Sequence, residues 1–251
     1  MKILVYDEII FNIHNRYIKE YFYFISRIME ENKMKKKCAL EALKLIKSGM
    51  TIGLGGGSTI GYLVQYIEEN QLNVKVVTPS YNTAELCVKH QLNVIPTWTV
   101  DHVDIAFDGC DEVDLNLNAL KSGGAIHTKE KIIGSMADEY ILLVDESKVF
   151  DKLPFHHSVT LEVIPEAKAY VKKQIELLNG KVSMRTSNAK DGFTISDHGH
   201  FIMEATFENV EDIKKLNYDL NNIPGIIDTS LFVGIATGAL SVDGDNVRFI
   251  R

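Results

Sequence analysis

From Thr51 onward, short apolar runs alternate with stretches in which apolar residues return every three or four positions. The short runs are "TIGL" from Thr51, "VKVVTPS" from Val74, "HVDIAFD" from His102 and "YILLVD" from Tyr140. They read as strands covered on both faces, as in a parallel sheet. Between them the period is helical. "TIGYLVQYIEEN" puts Ile60, Leu63, Val64 and Ile67 on one face, and a second helix runs through "NTAELCVKH" before the apolar "LNVIP". After a long loop, a third helix begins near Thr128 with Ile132, Ile133 and Met136 inward. This alternation predicts a doubly wound α/β domain with a mostly parallel sheet. Ligands in such sheets bind beyond the carboxyl ends of the strands, which directs attention to 53–59, 78–80, 108–111 and 145–148.

The rhythm changes after Phe155. "SVTLEVI", a helix from Pro165 with Val171, Ile175 and Leu178 inward, "GKVSMRT", "HFIMEATF", a helix from Val210 to Leu220 and "GIIDTSLFV" give the order β-α-β-β-α-β. That order predicts a smaller ferredoxin-like α+β domain. The tail "GALSVDGDNVRFIR" reads as a hairpin turning at Asp243-Gly244 and rejoining the first sheet. At the other end, "YIKEYFYFISRIMEENK" has a helix-like pattern with no strand or turn logic tying it to the neighbouring segment. Met34 then opens a helix with Ala39, Leu43 and Ile46 on one face and Gly49 as its C-terminal cap. The expected division is an N-terminal extension over 1–33, a Rossmann-like domain from 34–155 with 231–251, and a small domain over 156–230. The extension is either an extra surface helix or a stretch ahead of a translation start at Met34.

Composition narrows the chemistry. A chain of 251 residues with 45% hydrophobic and 24% charged residues can bury a full core. A formal net charge of −7 argues against nucleic acid as a partner and requires any phosphorylated ligand to find a local positive pocket. Cys38, Cys87 and Cys110 lack CxxC spacing, so neither a disulfide framework nor a zinc site is expected, and a reducing cytoplasm fits them. No apolar run approaches the roughly 20 residues of a membrane span. The aromatic N-terminus, broken by Asp7, Glu8, Asn12, His14 and Arg16, is not read as a signal peptide, so no membrane partner is expected. His156-His157 falls in a linker and His198 and His200 in a hairpin turn, which suggests no metal site.

"GLGGGST", Gly53 to Thr59, joins a strand to a helix through glycines. Such a turn leaves backbone N–H groups uncovered under the positive end of a helix dipole, an anion site. Neither GxGxxG nor a P-loop lysine is present. Ser58 and Thr59 add hydroxyls where a phosphate oxygen would lie. "DGCDEVD" places Asp108 and Asp111 at the carboxyl edge of the sheet; "KSGGAIHTKEK" comes next, with Lys121 before two glycines and Glu130 in the first turn of a helix capped by Thr128. "VDESK" sets Lys148 just past the next strand.

In this order and spacing the four motifs resemble ribose-5-phosphate isomerase of the A type, over essentially all of 34–251. The resemblance implies an aldose-ketose isomerase of the non-oxidative pentose phosphate pathway, interconverting ribose 5-phosphate and ribulose 5-phosphate without metal or other cofactor. It implies that Glu130 is the base and that Asp108 and Asp111 contact the sugar. Lys121, Ser122, Gly123 and Gly124 would line the site with Gly109 and Cys110. Gly56, Gly57, Ser58, Thr59 and Lys148 would hold chiefly the phosphate, with Lys35 as a further lysine from the first helix. Gly56, Cys110 and Ser122 stand where the family usually has Thr, Ala and Gly. The first change removes one hydroxyl and keeps the backbone donors.

These residue types suit the reaction. Moving a proton between carbons 2 and 1 of the open sugar takes one well-held carboxylate, Glu130. Lys121 and the N–H groups of Gly123 and Gly124 are the expected stabilisers of the enediolate oxygen. Asp108 is the choice for ring opening and Asp111 for orienting hydroxyls. Asp101, Asp104 and Asp114 read as solvated or capping, Asp145 as a cap or a sugar contact, Lys35 to Lys37 as a solvated helix start, and Cys110 as a small buried thiol. The rivals are a sugar-phosphate sensor domain, which would dispense with the base, and a coenzyme A transferase, in which the glutamate is a nucleophile. A homodimer or homotetramer is expected, since ferredoxin-like domains expose sheet edges.

Overall fold

The computed structural model of the chain describes residues 25–188 and 190–251. The aromatic-rich stretch 1–24, and the readings made on it, lie outside these.

A seven-stranded sheet carries the larger half. Its order is Asn246–Ile250, Gly238–Asp243, Ala137–Asp145, Val103–Asp108, Thr51–Leu54, Lys75–Val77, Asn93–Val94. All neighbours are parallel except the closing hairpin, which joins this sheet as expected. From the central strand Thr51–Leu54 the chain winds outward one way through Lys75–Val77, and the other way through Val103–Asp108. The reversal opens a crevice beyond the carboxyl ends of those two central strands. "GLGGGST" and "DGCDEVD" flank that crevice.

Helix α1 covers 25–43, α2 Ser58–Glu69, α3 Tyr81–Lys89 and α4 His127–Met136. Ile60, Leu63, Val64 and Ile67 of α2 are buried as their spacing predicts. Four expectations for these helices change. The boundary drawn at Met34 falls inside α1, which runs unbroken across it and buries Cys38, Ala39 and Ala42 against the sheet. Gly49 does not cap this helix; it adopts φ +99° six residues further on, where its N–H meets the carbonyl of Asn73 at 2.7 Å. Lys35 to Lys37 therefore sit mid-helix, and Lys37 reaches the Asp245 carbonyl at 2.5 Å. On α4 the inward residues are His127, Glu130, Ile133 and Gly134, while Ile132 is exposed. Neighbours on a helix are about 100° apart, and here the buried stripe takes in Ile133 with Gly134 and leaves Ile132 on its outer side, a choice the apolar spacing alone does not make.

The long loop after Asp108 contains two short strands, Glu112–Asp114 and Ala119–Leu120. They pair with Val149–Phe150 and Leu231–Phe232 in a separate four-stranded sheet. Asp114 is fully buried in it, accepting from the N–H groups of Asn116 and Asn118 at 2.9 Å each. It organises a turn and is not solvated.

Beyond residue 155 a second hydrophobic core forms around Leu161, Val171, Ile175, Met203 and Leu220. Its antiparallel sheet runs Ile226–Thr229, Val159–Val163, Phe201–Thr206, Lys181–Met184, with α5 (Lys168–Leu177) and α6 (Ile213–Asn221) as crossovers. This is the strand order of a split β-α-β unit. "GIIDTSLFV" is not one strand: it breaks at Ser230, its first half in this sheet and its second in the linking sheet.

Candidate active site

Asp108 ends the central strand Val103–Asp108 and is 3% exposed. Its neighbour across the sheet is the glycine turn, and the Asp108 side chain lies so closely over the Gly55 backbone that a Cβ on Gly55 would lie 2.0 Å from the carboxyl. Any side chain there would have to displace the carboxylate. Three donors hold the carboxylate: the Gly109 N–H at 2.8 Å, the Tyr140 hydroxyl at 3.1 Å and the Lys121 ammonium at 3.0 Å. Glu130 faces inward from the first turn of α4, 3.4 Å from the same ammonium. Thr128 is not the cap of α4. That helix starts after Ile126 without a side-chain cap, and the Thr128 hydroxyl donates to Glu162.

Two carboxylates therefore share one buried cation. Burial first, and the Asp108 charge second, push the Glu130 carboxyl up to about 8 against the pull of Lys121. Burial alone would lower the Lys121 ammonium, but the Asp108 and Glu130 carboxylates outweigh it and hold the lysine charged. Burial also raises the Tyr140 phenol, with the Asp108 charge adding to it, so it remains a donor.

Asp111 makes a contact that its place after the strand does not announce. One of its oxygens accepts from Ser122 N–H at 2.6 Å and Gly123 N–H at 3.2 Å, so Asp111 anchors the lysine-glycine loop. The Gly123 N–H is thereby occupied, and of the two glycine donors expected only Gly124 N–H carries no hydrogen bond among the described residues. Lys121 also donates to the Gly109 carbonyl. Cys110 is buried and its thiol is pushed up to about 12 by burial, which suits a small packed side chain. Ser122 is buried too, its hydroxyl donating to the Ser158 carbonyl.

Three of the residues expected to hold the anion, Thr59, Lys35 and Lys148, share a second point near the start of α2. Gly57 adopts φ +95° and passes the chain into α2, whose N-terminus has no side-chain cap and no acidic residue in its first turn. Thr59, Lys35 and Lys148 line one cavity of about 40 Å³ with Asp145 and Glu31. Lys148 donates to the Cys110 carbonyl at 3.0 Å, tying this end to the acidic motif, and Lys35 pairs with Glu31 at 2.5 Å.

A family model described as Ribose 5-phosphate isomerase A (phosphoriboisomerase A) matches residues 75–246, more than half of the chain. This chain belongs to the ribose-5-phosphate isomerase A family. Among named relatives, ribose-5-phosphate isomerase A of Synechococcus sp. is 36% identical over 85% of this chain and 95% of its own length. That of Methanothermobacter thermautotrophicus is 38% identical over 87% and 97%. The solved ribose 5-phosphate isomerase A from Methanocaldococcus jannaschii superposes with a TM-score of 0.82 at 34% identity, covering 87% of this chain and 98% of that one. A D-ribose-5-phosphate isomerase in complex with phospho-erythronic acid gives 0.82 at 37% identity, covering 86% and 97%. A model of the DeoR C terminal sensor domain also matches, over residues 30–97 only. That span contains the glycine turn and stops short of Asp108, Lys121 and Glu130.

Within this isomerase family member, the residue that sequence reasoning missed is Tyr140. It reads as one more aromatic in an apolar strand, and nothing local marks its hydroxyl. The Gly55 approach yields a prediction. Gly55→Ala is expected to displace the Asp108 carboxylate and lower kcat/KM about 100-fold, because misplacement of about 1 Å at a reacting group costs that much. Steady-state kinetics on a variant of unchanged circular dichroism checks it.

Proposed function

We infer that this chain interconverts ribose 5-phosphate and ribulose 5-phosphate through an enediolate. The observation that carries the reading is the Lys121 ammonium held between the Asp108 and Glu130 carboxylates at the crevice where the strand order reverses. Glu130 is the base. Its raised proton affinity lets the carboxylate take the proton from carbon 2 and return it to carbon 1. Lys121 and the Gly124 N–H stabilise the charge that develops on the sugar oxygen. Asp108, oriented by Tyr140 and Gly109, exchanges the proton that opens the ring. Asp111 uses one oxygen to hold the loop and presents the other to the sugar.

The phosphate end lies on the uncapped start of α2 with Gly56, Gly57, Ser58 and Thr59, completed by Lys35 and Lys148. The lysine set offsets the overall negative charge where the phosphate binds. Lys148→Ala is expected to raise KM about ten-fold, the worth of one charge-assisted hydrogen bond, with little change in kcat. A fall confined to kcat would remove Lys148 from phosphate binding.

Within the same reading the large domain comprises the seven-stranded sheet, with 156–230 as the small one. The active form is a homodimer or homotetramer, testable by light scattering. Three free, buried cysteines support a reducing, cytoplasmic setting, and no helix among the described residues is long and apolar enough to cross a membrane. The deciding experiment is a coupled assay of the purified protein on ribose 5-phosphate against other pentose and hexose phosphates. Turnover confined to another sugar phosphate would overturn the assignment.

A further inference from the structure

Arg185 comes directly after the edge strand Lys181–Met184 of the small domain and has no part in the chemistry so far. Its guanidinium nevertheless reaches the loop that carries Lys121. One terminal nitrogen donates to the Gly123 carbonyl at 3.0 Å. The other donates to the Ser122 carbonyl at 2.6 Å and the Thr160 hydroxyl at 2.9 Å. Its Nε donates to Glu204, which in turn accepts from the Ser158 hydroxyl. Thr160 adds a donor to the Ser122 carbonyl at 3.2 Å. The fork of an arginine suits two neighbouring carbonyls as no lysine could.

The opposite side of the same loop faces Asp111, which takes the Ser122 and Gly123 N–H groups. The Ser122–Gly123 peptide is thus gripped at both ends, its oxygen by a cation and its N–H by an anion. In a trans peptide, carbonyl and N–H point in opposite directions. Drawing the Gly123 carbonyl toward Arg185 therefore turns the next N–H, that of Gly124, away from the small domain and toward the side where Asp111 lies. The loop needs this restraint. Ala125, immediately after, sits at φ +54°, a left-handed conformation that costs a non-glycine residue about 1–2 kcal/mol and persists only where surroundings enforce it.

We propose that Arg185 is a positioning residue of the isomerase: from the small domain it fixes the peptide orientations of 122–124, so that the Gly124 N–H and the Lys121 ammonium meet the enediolate oxygen. The small domain then contributes to the rate. This inference rests on the reading of the site given under the proposed function.

The test compares Arg185→Ala and Arg185→Lys with the wild type. It measures kcat, KM, melting temperature and inhibition by two phosphorylated compounds. One is an aldonic acid whose carboxylate imitates the enediolate; the other is a polyol with no charge at that end. Arg185→Ala is expected to lose at least about ten-fold in kcat, less than the roughly 10²- to 10³-fold of removing an oxyanion donor outright because the donor is displaced and not removed, with KM nearly unchanged. Aldonate affinity should fall with kcat while polyol affinity holds. Added guanidinium at sub-denaturing concentration should restore part of the rate to Arg185→Ala. If Arg185→Ala does not fold, Arg185→Lys carries the test, since one ammonium cannot span both carbonyls and kcat should still drop. Wild-type kcat in either folded variant overturns the proposal, as does an equal loss of affinity for both inhibitors. Glu130→Gln assayed beside them keeps the two readings apart, because retained turnover there strikes at the base assignment and not at Arg185.

Discussion

Glu130→Gln is expected to reduce turnover by about 10²- to 10⁴-fold, the range spanned by general acid–base catalysis, while sugar-phosphate binding survives. Glutamine keeps the shape and cannot accept the proton. Lys121 retains Asp108 as its partner, so the site should not collapse. The wild-type pH profile makes the same point from another direction. Glu130 titrates near 8 and must be ionised to act, so kcat/KM should fall as the pH drops below about 8. Stability runs the opposite way. A carboxyl raised from 4.5 to about 8 holds a proton in the folded chain that the unfolded chain releases, so stability present at low pH is lost as pH rises through that window. Glu130→Gln should lack this decline, and its melting temperature above pH 8 should exceed that of the wild type. Kinetics with a melting series checks both halves. Normal turnover in the variant would end Glu130's candidacy as the base.

Lys121→Met is expected to cost kcat on the order of 10²- to 10³-fold, through loss of the charge facing the enediolate. It should also destabilise the fold by about 3–5 kcal/mol, because buried carboxylates lose their cation. The signature is again a pH dependence. Without the ammonium, the Asp108 charge acts unopposed on Glu130, whose carboxyl should hold its proton to higher pH, so the acid limb of the rate profile moves upward. Protonation relieves the strain, and the destabilisation should therefore be greatest in alkali. An acid limb left where it stands in the wild type would show that Lys121 does not set the field at Glu130.

Asp108 and Lys148 are legible in the sequence because they come at or just after the ends of strands whose apolar runs are long and regular. Glu130 falls in the first turn of a helix, whereas Lys121 follows a two-residue strand and stands out only through the lysine-glycine motif and the resemblance it carries. What escaped reading lacks such a period. The strands Glu112–Asp114 and Ala119–Leu120 are too short to show alternation, so the loop carrying them read as irregular and Asp114 as solvated. Asp111 and Gly123 both read as facing the sugar, and the hydrogen bond between them, which engages the Gly123 N–H, comes from folding the loop back on itself. Tyr140 and Arg185 act through partners 32 and 62 or 63 residues away, and no local pattern encodes contacts of that span.

Helix α4 passes into the strand Ala137–Asp145 with no connecting residue between Met136 and Ala137. The chain reverses there, laying α4 back over the strand so that Glu130 and Tyr140 converge on the Asp108–Lys121 pair, and that convergence depends on the tight junction. One inserted residue after Met136 would reverse which face of the sheet each subsequent side chain meets, sending the Tyr140 ring away from Asp108. Length variation during divergence should therefore accumulate in the surface hairpins and avoid this junction.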